Sequence, residues 1–124
     1  MPRPSKSSGA QRSHCPISST LELIGDRWTL VLVRDLFRGF SRYGEFLSQP
    51  EGIPTNILAD RLVRLEEADI VTRKPYQDNP LRYSYELTTK GRSLAPVIGA
   101  LGMWGLRNLP GTVADKALFS VLSA

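Results

Sequence analysis

Residues 42–68, RYGEFLSQPEGIPTNILADRLVRLEEA, decide the fold. A short helix is predicted from about Arg42 to Ser48, broken by Gln49-Pro50-Glu51-Gly52. From Thr55 to Ala68 the pattern is amphipathic at helical spacing. Leu58, Leu62 and Leu65 make a narrow apolar seam, and Asn56, Asp60, Val63, Arg64 and Glu67 fall on the opposite side. Pro54 fits the first turn, where a missing amide hydrogen costs little. Helix, four-residue turn, helix is the unit of a helix-turn-helix.

Working outward, the period changes from 3.6 to 2 directly after this unit. Ile70-Val71-Thr72-Arg73-Lys74 is β-prone and Gln77-Asp78-Asn79-Pro80-Leu81 is loop chemistry. Tyr83, Tyr85 and Leu87 then alternate with Arg82, Ser84 and Glu86. A hairpin with one packed and one solvated face follows. Upstream, Ser19-Thr20-Leu21-Glu22 reads as a capping box opening a helix of about five turns. It carries Leu21, Ile24, Trp28, Val31 and Leu32 and stops at Gly39. Downstream, Thr88 or Thr89 caps a helix bearing Leu94, Val97, Ile98, Leu101 and Trp104, in which Pro96 predicts a kink or a late start. A last helix is expected from Val113 to Leu122. The fold class is mainly α with a small β-hairpin wing.

The chain has 124 residues, 41% apolar and 23% charged, which suits one globular domain. Residues 1–13 are polar and are expected to form a disordered basic tail, with the folded domain at residues 14–124. No run approaches the roughly 18 apolar residues that span a bilayer, and the N-terminus lacks a secretory pattern. A cytoplasmic setting is expected, without membrane contact. The net charge of +4 comes mostly from Arg3, Lys6 and Arg12; residues 13–124 carry thirteen basic against twelve acidic groups. The placement of the basic groups therefore matters more than their sum. His14 is alone, and no nucleophile elbow, phosphate loop or metal-spaced His/Cys/acid cluster is present. No catalytic residue, metal or cofactor is expected, and an enzyme is the weakest reading.

Several separated strings, in order over about Cys15 to Trp104, resemble HxlR-type regulators. Cys15-Pro16 and Leu21-Glu22-Leu23-Ile24-Gly25-Asp26-Arg27-Trp28-Thr29 look like the opening of such proteins. Arg42-Tyr43-Gly44-Glu45-Phe46 resembles their short second helix. Gly52-Ile53-Pro54-Thr55-Asn56-Ile57-Leu58-Ala59-Asp60-Arg61-Leu62 resembles their recognition helix. Tyr83-Ser84-Tyr85-Glu86-Leu87-Thr88 and Lys90-Gly91 are similar to the second wing strand and the next helix start. The resemblance implies a homodimeric, MarR-like winged helix that binds double-stranded DNA and regulates transcription. Leu101, Trp104, Leu106, Leu109, Val113, Leu118 and Val121 supply more apolar surface at the C-terminus than one small core needs. This region and the first helix are therefore expected to form the two-fold interface of a dimer on a pseudo-palindromic operator. A small-molecule effector is left open as a further partner, and the sequence does not identify one. Asp69 stands where relatives often carry Gly and tolerates the left-handed turn. Pro54 occupies a position often held by a capping Ser, so that Thr55 is expected to cap instead.

The N-terminal half of a recognition helix enters the major groove, which makes Thr55, Asn56, Asp60, Arg61 and Arg64 the candidates. The same face also permits an i,i+4 pair between Asp60 and Arg64. Arg82, with Asp78 and Asn79 at the wing tip, would approach a minor groove or phosphates. Arg42 at the start of the second helix would meet a phosphate. For Arg73 and Lys74, surface-strand solubility is an equal explanation. Cys15 has two readings, a small buried hydrophobe or a thiol sensor of oxidants or electrophiles placed before a helix start. The rival function is a winged-helix module that binds protein without specific DNA readout.

Overall fold

A computed structural model describes residues 13–124. The tail read over residues 1–13 therefore lies, apart from Ser13, outside the described residues. The elements run α1 (Pro16–Ile24), α2 (Thr29–Phe37), α3 (Tyr43–Leu47), α4 (Thr55–Glu67), β1 (Val71–Asp78), β2 (Leu81–Leu87), α5 (Thr89–Arg92), α6 (Ala95–Asn108) and α7 (Lys116–Leu122). This is the mainly helical fold with a hairpin wing that the periodicity implies.

The predicted five-turn first helix is two helices. Gly25 closes α1 by donating its N–H to Leu21 O at 2.8 Å. The Asp26 carboxylate then starts α2, accepting from the amides of Trp28 at 3.0 Å and Thr29 at 3.2 Å, and from the Thr29 hydroxyl. The apolar period runs through this break in sequence only: Ile24 is the buried residue of α1, whereas Leu21 is exposed. The Ser19–Glu22 capping box is likewise not a helix start. α1 already opens at Pro16, with Cys15 extended at its N-cap, and the Ser19 hydroxyl donates to Ser13 O at 3.1 Å.

α2 is the central post. Leu32 and Val33 are fully enclosed by Phe46 of α3, by Leu58, Leu62 and Leu65 of α4, and by the hairpin base. Two Schellman closures set the corners. Gly39, at φ +92°, ends α2, with Phe40 N–H bonded to Asp35 O at 3.0 Å. Asp69, at φ +62°, ends α4, with Ile70 N–H bonded to Leu65 O at 2.9 Å. The left-handed role expected of Asp69 is thus observed.

The wing is longer than its alternation suggests. The register runs from Val71 opposite Leu87 to Asp78 opposite Leu81, with an irregularity between Pro75 and Gln77. Pro75 is accommodated in the ladder beside that bulge, so it does not end the strand. Asn79 and Pro80, joined by a cis peptide, form the tip. Tyr85 and Leu87 pack inward, while β1 is exposed beyond Val71. Tyr85 N–H donates to Ser41 O at 2.8 Å, tying β2 to the link between α2 and α3.

Thr88, rather than Thr89, is the cap of α5, accepting from Gly91 N–H at 2.9 Å. α6 starts late, with Pro96 in its first turn, as a missing amide hydrogen requires. The last helix begins at Lys116 instead of Val113. Asp115 Oδ1 accepts from Leu118 N–H at 3.0 Å and supplies the true cap, leaving Val113 88% exposed.

Candidate nucleic-acid interface

α4 is built to leave one face uncommitted. Leu58, Leu62 and Leu65 are 2% exposed or less, which fixes the helix rotation. Thr55, Asn56 and Asp60 consequently point outward and are exposed. Pro54, not Thr55, occupies the N-cap, with φ −65° and ψ 145°, and no side chain caps the helix. Thr55 is the first helical residue, because Pro54 already holds the extended conformation that a cap needs.

The expected Asp60–Arg64 pair is not formed. Asp60 pairs with Arg61 instead, and Arg61 Nε also donates to Asp26 Oδ2 at 2.8 Å. The Arg61 side chain is 17% exposed and turned toward the corner between α1 and α2. Burial alone would raise the Asp26 carboxyl, but the hydrogen bonds from Thr29, Arg61 and Trp28 outweigh it and hold the pKa at about 2. Arg64 has no carboxylate partner among the described residues.

The second helix and the wing meet through Arg42. It is the N-cap of α3, where Glu45 Oε1 accepts from the amides of Ser41 at 2.8 Å and Arg42 at 3.0 Å. Its guanidinium lies 3.8 Å from the centre of the Tyr76 ring on β1, a cation–π contact. Arg82 is exposed opposite Gln77 in the ladder, Asp78 closes the ladder opposite Leu81, and Asn79 is at the tip. Arg42 and the wing are thus brought together through Tyr76. Arg73 pairs with Glu66 at 3.4 Å and lies over Tyr83, and Lys74 pairs with Glu86 at 2.7 Å. Both brace the hairpin.

Two features escaped the sequence reading. Tyr76 has no periodic signal that marks it. The other is a line of charges on α2. Asp35 is 1% exposed and accepts at Oδ1 from Arg34 at 2.9 and 3.1 Å and from Arg38 at 3.2 Å. Arg34 grips both oxygens of Glu51, at 2.7 and 3.0 Å, and Arg38 reaches Asp115 Oδ2 at 3.1 and 2.8 Å. Three charged residues within five positions on an otherwise apolar helix were the available clue. Burial pushes the Asp35 carboxyl up despite Arg34 and Arg38, whereas the hydrogen bond from Arg34 holds Glu51 at about 2.

Cys15 is exposed, which overturns the reading of a buried hydrophobe. It shares a shallow groove with Ile17, Ser18, Leu21 and Glu22. Ile17 and Leu21 on α1, and Leu101 and Trp104 on α6, are each more than half exposed. Leu118, by contrast, belongs to the core. Among the described residues no helix is long and apolar enough to cross a membrane, and no group of three His, Cys, Asp or Glu side chains could hold a metal.

A family model described as HxlR-like helix-turn-helix matches residues 23–112. An HTH-type transcriptional regulator of Mycobacterium bovis (strain ATCC BAA-935 / AF2122/97) is 42% identical over 94 residues, 76% of this chain and 59% of that relative. The match therefore spans less than two thirds of the relative's length. The redox regulator HypR in its oxidized form shares 34% identity with a TM-score of 0.69, covering 76% of this chain and 97% of that one. The reduced form of the transcriptional regulator YodB from Bacillus subtilis shares 29% identity with a TM-score of 0.64, covering 82% of this chain and 100% of that one.

Proposed function

The chain belongs to the HxlR-like helix-turn-helix family, and from that premise we propose that it is a transcriptional regulator that reads double-stranded DNA as a homodimer. The observation that carries this reading is the outward face of α4, held by a deeply buried leucine seam and flanked by a protruding wing. Thr55, Asn56 and Asp60 face the major groove, where Asn suits adenine and Asp can accept from cytosine. Arg64, Arg42 and Arg82 meet phosphates, with Asp78 and Asn79 beside the minor groove at the wing tip. Arg61 acts one step back, by fixing the angle of α4 through Asp26.

Residues 14–124 serve as one DNA-binding and dimerisation domain. The apolar side chains of α1 and α6 that lie open to solvent suit a two-fold interface. Two such subunits read half-sites about 34 Å apart. Cys15, exposed at the N-cap of α1 beside Ile17, fits a thiol sensor, and the similarity to the redox regulator HypR supports that role.

Selection of bound duplexes from a random DNA pool tests the reading, because it reports base preference and half-site spacing together. A pseudo-palindromic consensus is expected, with affinity falling steeply with salt. Protein that enriches no sequence and binds no duplex at low salt would instead be a protein-interaction module.

A further inference from the structure

The charges around Asp35 link the turn before α4 to the start of α7. Arg34 holds Glu51 in the turn before α4, one residue ahead of Gly52, which takes φ +70° and donates its N–H to Gln49 O at 3.1 Å. Arg38 holds Asp115, whose other oxygen caps α7. α7 is in turn pressed against α6 at Phe119, whose ring would lie 2.9 Å from a Cβ placed on Gly102. Gly102 adjoins Leu101 on the exposed face of α6.

We propose that Glu51, Arg34, Asp35, Arg38 and Asp115 form a positioning relay that sets the turn before α4 according to the seating of α7. A buried carboxylate cannot lose one of its guanidinium partners without leaving charge unpaired, so the groups shift together rather than singly. The planar forks of Arg34 and Arg38 transmit direction as well as charge, since each binds two carboxylates in fixed geometry. Anything that moves α7 at the C-terminal face is therefore felt where α4 begins. The consequence for DNA rests on α4 being the reading helix; the coupling itself does not.

Two substitutions separate the relay from simple stability. Asp115→Asn keeps a side-chain oxygen for the α7 cap but removes the charge facing Arg38. Glu51→Gln does the same at the other end. Amide hydrogen exchange in the full free protein reads the result. Asp115→Asn should speed exchange of Gly52 and Leu58 by about fivefold, with Val33 in the core unchanged. The double variant should do no more than the stronger single one. Affinity for a duplex selected from a random pool should fall by a similar factor. Unchanged exchange at Gly52, equal acceleration at Val33, or multiplying effects in the double variant would overturn the relay. Altered exchange with unaltered DNA affinity would overturn its role in reading. Failure of the wild-type protein to bind any duplex would overturn the functional reading alone, since the exchange result is obtained without DNA.

Discussion

Arg61 Nε stands 2.8 Å from Asp26 Oδ2, an ion pair that joins the start of α2 to the middle of α4 across 35 residues of chain. The same carboxylate accepts from two backbone amides and a hydroxyl. One side chain thus starts α2 and ties α4 to it.

The first prediction is a pH effect. With the Asp26 pKa lowered from 3.8 to about 2 in the folded state, its contribution is complete above about pH 4 and is lost as pH falls through 2. Allowing for partial solvent screening, it amounts to about 1–2 kcal/mol. Urea denaturation of wild type and Asp26→Asn should show a stability gap at pH 6 that closes toward pH 2. A gap independent of pH would refute the assignment.

Readout should divide by residue. Asn56→Ala is expected to relax preference at one base position, at a cost of about 1–3 kcal/mol. Arg64→Ala and Arg82→Ala should weaken binding to all sequences and flatten the salt slope by about one each. Arg61→Ala should lower folding stability and leave the base preference in place, because its guanidinium is engaged internally. Repeating the pool selection with each variant discriminates these outcomes.

Gly91 is a packing requirement. A Cβ there would sit 2.1 Å from Ile70 O, a backbone atom at the hairpin base. Gly91→Ala should therefore cost about 1–3 kcal/mol or more, since α5 or the hairpin must move. A thermal melt within a degree of wild type would contradict that close approach.

For the dimer, Leu101 and Trp104 are 57% and 60% exposed. Sedimentation at micromolar concentration should give a dimer for wild type and a monomer for Leu101→Glu combined with Trp104→Glu. The double variant should keep its helical circular dichroism, as neither side chain belongs to the core.

Cys15 should respond to diamide. Two thiols from opposite subunits would yield two electrons and two protons to the reagent and form one disulfide, provided that their Cα atoms approach within about 7 Å. Operator affinity in a gel shift should change on diamide treatment, recover with reductant, and stay constant in Cys15→Ser. Equal behaviour of the two proteins would remove Cys15 from the sensing role.

Much of this architecture was legible because the determinants are local. Leu58, Leu62 and Leu65 recur at a spacing that only a helix puts on one face, and Tyr85 and Leu87 alternate as a strand requires. The left-handed turn at Asp69 follows from its place after that helix. The break at Gly25 was not legible, because Asp26 acts through side-chain bonds to Trp28 and Thr29 that interrupt no hydrophobic period. Partner choice between charges was equally hidden. Arg61 could pair along its helix or across to Asp26, and only the packing of α2 against α4 decides. Asp115 and Arg38 are 77 residues apart, a separation that no local pattern spans.

The internal engagement of Arg34, Arg38 and Arg61 also bears on how the protein would find its target. Guanidinium groups bound to their own carboxylates release no counterions from DNA, so they add nothing to sequence-independent adhesion. Sequence-independent attraction then rests on the few cations with no carboxylate partner among the described residues, such as Arg64 and Arg82. Encounters with wrong sites would then be brief. The search would proceed by frequent dissociation and re-encounter instead of long one-dimensional sliding, and residence time would be set by the few contacts that distinguish one sequence from another.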